Sequence, residues 1–234
     1  MSHICRAIIV AAGKGQRMGG DIPKQFLKLA GKPIIAHTLK QFDSMESIDD
    51  IVLVIDSNYA EYMQRHILDI YEFKKTISLV EGSDTRQKSV YNGLKSLPRD
   101  TDIAIIHDGV RPFIQRELIE MSIHEAIDCG GAVVGVPVKD TIKRVDGDSF
   151  IRATLDRKML WAVQTPQTFK YDIIIDAHRQ AMEDGFVGTD DSMLVERLGI
   201  SVKMLMGSYS NIKITTKEDI ILANALINGG RVGI

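Results

Sequence analysis

Ala7-Ile8-Ile9-Val10-Ala11-Ala12-Gly13-Lys14-Gly15-Gln16-Arg17-Met18-Gly19 runs from an apolar stretch straight into a glycine-rich loop. The apolar residues read as a buried strand. A glycine-rich loop leaving such a strand can wrap its backbone N–H groups around phosphate oxygens. Arg17 in the loop, and Lys24 in the following Pro23-Lys24-Gln25-Phe26, add two positive charges beside that cradle. Two common phosphate-binding patterns do not fit. The dinucleotide fingerprint G-x-G-x-x-G accepts Gly13 and Gly15 but meets Met18 at its third glycine. The P-loop pattern needs Gly-Lys-Ser or Gly-Lys-Thr, and neither occurs in the chain. The glycines alone describe an ordinary strand-to-helix turn; the two cations favour a nucleoside triphosphate site.

Working outward, further β-rich runs alternate with amphipathic stretches. Ile51 to Ile55, Ile77 to Val80, Ile103 to Ile106 and Ala132 to Val136 are near-continuous apolar runs, as in parallel sheets covered on both faces. Ile35, Leu39 and Phe42, then Ile119, Ile123, Ala126 and Ile127, recur at helical spacing. Tyr59 to Tyr71 and Thr85 to Leu97 are further helix candidates. This alternation predicts a three-layer α/β/α sandwich around a mostly parallel sheet, with ligands beyond the carboxyl ends of the strands. The rhythm breaks after Val136. Asp146-Gly147-Asp148 between two short strand-like runs is a hairpin signal. A hairpin alone is marginally stable, so this one must pack on its own domain or on another subunit. Beyond it, helices are expected after Tyr171, over Asp190 to Leu198 and from about Thr216 to Leu226, with a strand over Val202 to Met206. Thr216 and Asp219 have the spacing of a capping box. The expectation is one domain over 1–234 with a β-arm at about 139–160.

The 234 residues and 44% hydrophobic content support a substantial core. A net charge of −2, without a basic tail, argues against nucleic acid as partner. No stretch has the length of a membrane span, and the N-terminus lacks the layout of a signal peptide. Cys5 and Cys129 are expected in the core as reduced thiols, consistent with a cytoplasmic address. The six histidines show no metal-ligand spacing.

Four segments complete the candidate chemistry. His107-Asp108-Gly109-Val110-Arg111-Pro112 ends a buried strand at the ligand edge. Asp108 can hold Mg²⁺ or accept a hydrogen bond, and Arg111 can clamp a phosphate; the plainer reading is an Asp–Arg pair closing a turn. In Gly82-Ser83-Asp84-Thr85, Gly82 and Ser83 can expose backbone groups to a base, Thr85 or Asp84 can cap the next helix, and Ser89 can face a ribose. Thr141, Arg157 and Thr165, on and around the hairpin, can together hold an acceptor phosphate. Lys213, in Asn211-Ile212-Lys213-Ile214-Thr215, sits in an apolar–basic–apolar alternation; alone it would be a solvent-facing strand lysine. Two preorganised cations at a reacting phosphate, such as Arg17 and Lys24, can each contribute about 10²–10³-fold in rate.

Together, AAGKGQRMG, PKQF, GSDTRQKSV, HDGVRPF, PVKDTIKRV, TLDR, QTPQTF, TDD and NIKIT resemble the cytidylyltransferases that act on polyol phosphates, over about residues 5 to 227. The resemblance implies a Rossmann-like sandwich of the nucleotidyltransferase type with a protruding β-hairpin dimerisation arm. It implies transfer of cytidylyl from CTP to 2-C-methyl-D-erythritol 4-phosphate, for isoprenoid precursor synthesis, in a homodimer. Mg²⁺ would be held mainly through the CTP phosphates, with Asp108 as a further candidate ligand. Arg17 and Lys24 would stabilise the transition state. Ala11, Ala12, Gly13, Gly15, Ser83 and Ser89 would line the nucleotide site. Asp108, Gly109, Arg111, Thr141 and Thr165 would contact nucleotide or acceptor, and Arg157 and Lys213 would orient the acceptor phosphate. Ser208 to Asn211 is also similar to the ribitol 5-phosphate cytidylyltransferases, which gives the alternative acceptor. A rival of another class is a non-catalytic nucleotide sensor.

Overall fold

The computed structural model describes residues 3–13 and 22–232; the expected site residues Gly15 and Arg17 lie outside the described residues. The chain forms β1 (Cys5–Val10), β2 (Lys28–Leu29), β3 (Lys32–Pro33), α1 (Ile34–Asp43), β4 (Asp50–Ile55), α2 (Ala60–Met63), β5 (Ile77–Glu81), α3 (Arg86–Ser96), β6 (Ile103–Asp108), α4 (Arg116–Cys129) and β7 (Gly131–Pro137). Then follow β8 (Lys143–Val145), β9 (Ile151–Thr154), β10 (Trp161–Lys170), α5 (Tyr171–Glu183), α6 (Asp191–Arg197), β11 (Lys203–Met206) and α7 (Lys217–Asn228). Seven strands make one sheet in the order β11-β7-β10-β6-β1-β4-β5. All its pairings are parallel except those of β10, which runs antiparallel to β6 and β7.

Side-chain parity along the strands builds the three layers. Successive strand residues face opposite sides of the sheet. Ala7 and Ile9 therefore join Leu53 and Ile105 under α1 and α4, whereas Ile8 joins Val54 and Ile106 under α3, α5 and α6. Each fully buried aliphatic side chain contributes about 1.5–3 kcal/mol, so these two clusters, rather than helix propensity, fix the layers. The first is anchored by Leu39 and Phe42 of α1 and Ile119 of α4. On the other face α3 crosses β1 so closely that a Cβ at Gly93 would lie 2.7 Å from Ile8 Cγ2. A third cluster seats α7 against Leu29, Val110 and Ile214. Its N-terminus has the expected capping box between Thr216 and Asp219.

β1, β4, β5, β6, β7, α1, α3 and α4 fall where the apolar pattern places them, whereas the helix expected over Tyr59 to Tyr71 is α-helical only over Ala60–Met63, and the short β2 and β3 are not expected from it. β10 does not follow the pattern either. In the sequence, Gln164, Thr165, Pro166 and Gln167 group with the cluster on and around the hairpin, and no strand is expected there. The structure instead threads this segment between β6 and β7, with a register shift between Val163 and Gln167 around the proline. Its polar side chains are paired internally, as in the 2.8 Å contact between Thr168 Oγ1 and Ser122 Oγ. The hairpin β8–β9 forms a separate two-stranded sheet within the expected arm. Asp146 Oδ1 closes its turn by accepting from the Asp148 and Phe150 N–H groups. Phe150, Ile151 and Met159 of the arm are exposed. Cys129 corrects another expectation: it is the last residue of α4 and exposed, while Cys5 is buried. Among the described residues, no helix is long and apolar enough to cross a membrane.

One buried polar chain pins β10 to β6 beside the cleft. The Thr165 hydroxyl accepts the Asp108 N–H at 3.1 Å and lies 3.0 Å from His107 Nδ1. His107 Nε2 lies 3.1 Å from the Arg111 carbonyl. A carbonyl only accepts, so Nε2 carries the proton and the Thr165 hydroxyl donates to Nδ1. Burial pushes His107 down to about 4. Between that value and the unfolded value of about 6.5, the unfolded chain takes up a proton that the fold refuses. Stability is thus complete above about pH 6.5 and falls as pH drops towards 4. Burial also lowers His37, which acts in the same direction. Urea unfolding should lose about 2 kcal/mol through His107 between pH 7 and pH 5. His107→Asn should show a shallower pH slope than the parent; an equal slope would remove His107 from this account.

Candidate active site

The carboxyl ends of β1, β4, β5 and β6 open into a cleft of about 820 Å³. Ala11, Ala12, Gly13, Lys24, Ser83, Ser89, Asp108 and Lys213 all line it. Close packing brings these loops together. A Cβ at Gly82 would lie 2.2 Å from the Ala12 Cβ, so only glycine lets the loop after β5 dock against the loop after β1. Gln25 Nε2 donates to the Ala11 carbonyl at 2.8 Å, and Phe26 packs on Tyr59 and Tyr62. These contacts carry Lys24 to the cleft wall. Thr85 caps α3 by accepting from the Lys88 N–H. The first turn of this eleven-residue helix opens on the cleft, where its dipole favours an anion.

A second lobe of about 280 Å³ adjoins the first and is lined by Arg111, Gln164, Thr165, Gln167, Thr189 and Asp190. The two lobes share Arg86, Asp108 and Lys213. Asp108 organises that wall. Its carboxylate lies 3.1 Å from Arg111 Nε, 3.0 Å from Lys213 Nζ and 3.5 Å from Arg86 Nε. Burial alone would raise the carboxyl's pKa, but the three cations outweigh it and hold Asp108 well below the usual aspartate range. Arg86 reaches a second buried carboxylate, Asp191, at 2.8 Å. Burial lowers Arg111, which remains cationic because arginine starts near 12.5.

Several expected residues have different immediate tasks from those read in the sequence. Ser89 is buried; it accepts the Ser83 N–H at 2.9 Å and donates to the Thr85 carbonyl at 2.8 Å, so it shapes the loop. The Gly109 N–H donates to the Val10 carbonyl, which ties β6 to β1. Arg111 is committed to Asp108 and to the Asn211 carbonyl at 2.8 Å, the plainer of its two readings. Lys213 lies in a loop rather than a strand and is drawn in by Asp108. Thr165 stands in the wall of the smaller lobe. Thr141 and Arg157 lie on the arm and line neither lobe of their own chain. Arg157 donates instead to the Lys139 carbonyl at 2.7 Å. The residue the sequence did not single out is Arg86. It opens a helix, where a charged residue is unremarked, and only the approach of β6 and α6 reveals its partners.

This arrangement suits two anions meeting at one wall. Lys24, Arg86 and Lys213 line the larger lobe, and Arg86, Arg111 and Lys213 the smaller. The nearest histidine, His107, is buried and bonded at both ring nitrogens, so it is not placed to move a proton to or from a ligand. The Asp108 oxygens are committed to cations, and among the described residues no group of three His, Cys, Asp or Glu side chains could hold a metal ion. The described side chains therefore do not fit a magnesium site of their own.

The family model for 2-C-methyl-D-erythritol 4-phosphate cytidylyltransferase matches residues 5–229. A protein of that name from Clostridioides difficile is 51% identical over 221 residues, covering 94% of this chain and 92% of its own length. Another, from Caldanaerobacter subterraneus subsp. tengcongensis, is 47% identical over 221 residues and covers 94% and 97%. The crystal structure of a 4-diphosphocytidyl-2C-methyl-D-erythritol synthase from Anaerococcus prevotii superposes with a TM-score of 0.86 at 36% identity, covering 97% of each chain. With nearly its whole length matched in sequence and in fold, the chain belongs to the 2-C-methyl-D-erythritol 4-phosphate cytidylyltransferase family.

Proposed function

We propose that this chain transfers cytidylyl from CTP to 2-C-methyl-D-erythritol 4-phosphate, giving CDP-methylerythritol and pyrophosphate. The observation that carries the reading is the wall of Arg86, Asp108 and Lys213 common to both lobes, in a chain of this family. CTP takes the larger lobe and the polyol phosphate the smaller. An acceptor phosphate oxygen attacks the α-phosphorus in line; the new P–O bond forms as the bond to the β-phosphate bridging oxygen breaks, and pyrophosphate leaves with that electron pair. The acceptor phosphate is already anionic near neutrality, its second pKa being near 6, so no general base is required. Catalysis then consists of positioning two polyanions and stabilising charge on phosphate oxygens. Lys24 faces the α-phosphate, and Arg17, which lies outside the described residues, is assigned to the same task from the sequence alone. Lys213 orients the acceptor. Ala11, Ala12, Gly13, Gly15, Ser83 and Ser89 form the nucleotide side, while Asp108, Gly109, Arg111 and Thr165 build the wall towards the acceptor. Magnesium, when bound, would be held by the phosphates of CTP rather than by the described side chains and would supply neutralising charge there.

We also read the whole of 1–234 as one cytoplasmic nucleotidyltransferase domain that works as a homodimer. The arm, with Phe150 and Ile151 exposed at 65% and 62%, offers apolar surface that a second subunit would cover. Thr141 and Arg157 would then complete the neighbour's acceptor lobe, which agrees with their lining neither lobe of their own chain.

Incubating the chain with CTP, magnesium and either 2-C-methyl-D-erythritol 4-phosphate or ribitol 5-phosphate, with mass analysis of the products, tests the reaction. Methylerythritol phosphate should be the preferred substrate. Equal or reversed preference would overturn the acceptor, and binding of CTP without pyrophosphate release from either would favour a nucleotide sensor. Lys24→Ala should lower kcat by about 10²–10³-fold, whereas Arg157→Ala should mainly raise the acceptor KM. Mixing the two impaired variants, assayed at acceptor concentrations where Arg157→Ala is slow, should restore part of the activity through hybrid dimers. No recovery, with subunit exchange demonstrated, would place the whole site within one chain.

A further inference from the structure

We infer that Arg86 is a further substrate-binding cation of this reaction, shared by the two lobes, and that Asp191 is the positioning residue that aims it. The inference rests on the cytidylyl-transfer reading above. Arg86 lines both lobes, a place it shares only with Asp108 and Lys213 among the described residues. Its side chain is 29% exposed, while the Asp191 side chain behind it is 1% exposed. The two ends of the guanidinium are held unequally. The ion pair to Asp191 is 2.8 Å, and the contact from Nε to Asp108 is 3.5 Å. The long contact is the one that a phosphate oxygen can replace, and arginine's planar fork suits that oxygen's geometry.

Asp191 is built into the fold behind Arg86 and lines neither lobe itself. Its N–H and that of Ser192 donate to Gln167 Oε1 at 3.0 and 3.1 Å, which ties the start of α6 to β10. Its Oδ1 lies 3.2 Å from Nε2 of the fully buried His178, whose ring stacks on Tyr91. Gln167 Nε2 also holds Asp190 at 2.9 Å, and Asp190 caps α6. This mounted carboxylate faces two basic groups, the His178 ring and the Arg86 guanidinium, and of the two only Arg86 lines the lobes. Without Asp191, the remaining anion beside Arg86 is Asp108, which already serves Arg111 and Lys213. Arg86 would then compete with Lys213 for Asp108, and the wall would lose one cation available to substrate.

Steady-state kinetics with CTP and 2-C-methyl-D-erythritol 4-phosphate test this on Arg86→Lys, Arg86→Ala, Asp191→Asn and the Asp191→Asn/Arg86→Lys double variant. Arg86→Ala should lose about 100-fold in kcat/KM, and Arg86→Lys should recover part of that. Asp191→Asn should lose about 10-fold, and the double variant should be no worse than the poorer single variant, since both changes remove one function. A kcat/KM within threefold of the parent in Arg86→Lys and Asp191→Asn, with only the melting temperature lowered, would overturn the inference. So would losses that multiply in the double variant. Arg86→Lys keeps charge and approximate length on a partly exposed position, so it carries the test if Arg86→Ala does not fold. A parent that releases no pyrophosphate would refute the functional reading instead. Calorimetric CTP affinity then judges Arg86 by itself: weakening of about tenfold in Arg86→Lys supports it, and unchanged affinity refutes it.

Discussion

The site depends on one carboxylate. Asp108 sits at the end of a strand buried on both faces, and three cations from three separate segments meet on it. Without that charge, Arg111 would face neighbouring cations in a mostly desolvated place. Removing one partner of such a cluster typically costs 3–5 kcal/mol, far more than the cluster adds to net stability. Its value lies in geometry: Asp108 holds positive charge along a wall that two ligands can share. An active site for two polyanions must first assemble its own repelling cations, and a buried anion among them does this before any substrate arrives.

The fold supplies the positions by simple means. Parity along β1, β4 and β6 sends alternate side chains into two cores, and the strands all end at the same edge. The loops leaving that edge are then tied to one another by glycine contacts and side-chain bonds, such as Gly82 against Ala12 and Gln25 to Ala11. β10 adds what a purely parallel sheet lacks. It enters antiparallel beside β6 and presents Thr165 and Gln167 to the smaller lobe. At the other end of the chain, Asp219 Oδ2 accepts from the Thr215 and Thr216 N–H groups, which seats the loop carrying Lys213 on α7.

How much of this could be read from the residues follows the kind of interaction. Apolar runs such as Ile51 to Ile55 and the periodicity of α1 announce themselves, because burial on a known face is a local pattern. The capping box at Thr216 and the Asp-Gly turn of the arm are local too. β10 escaped because its polar side chains are satisfied by distant partners, Ser122 for Thr168 and α6 for Gln167. Read alone, Lys213 looks like a solvent-facing strand lysine for the same reason: an alternation of apolar and basic residues cannot show that Asp108 pulls the lysine inward. Arg86 was passed over because its two carboxylates lie 22 and 105 positions away in the chain. The cysteine at the end of α4 was judged by type rather than by its place on the helix.

The central claim is that Asp108 stays ionised because cations surround it, and carbon-detected NMR of its side-chain carboxyl measures this directly. The account predicts no titration of that resonance from neutral pH down to the acid limit of the fold. A midpoint at or above the ordinary aspartate value of about 3.9 would contradict it.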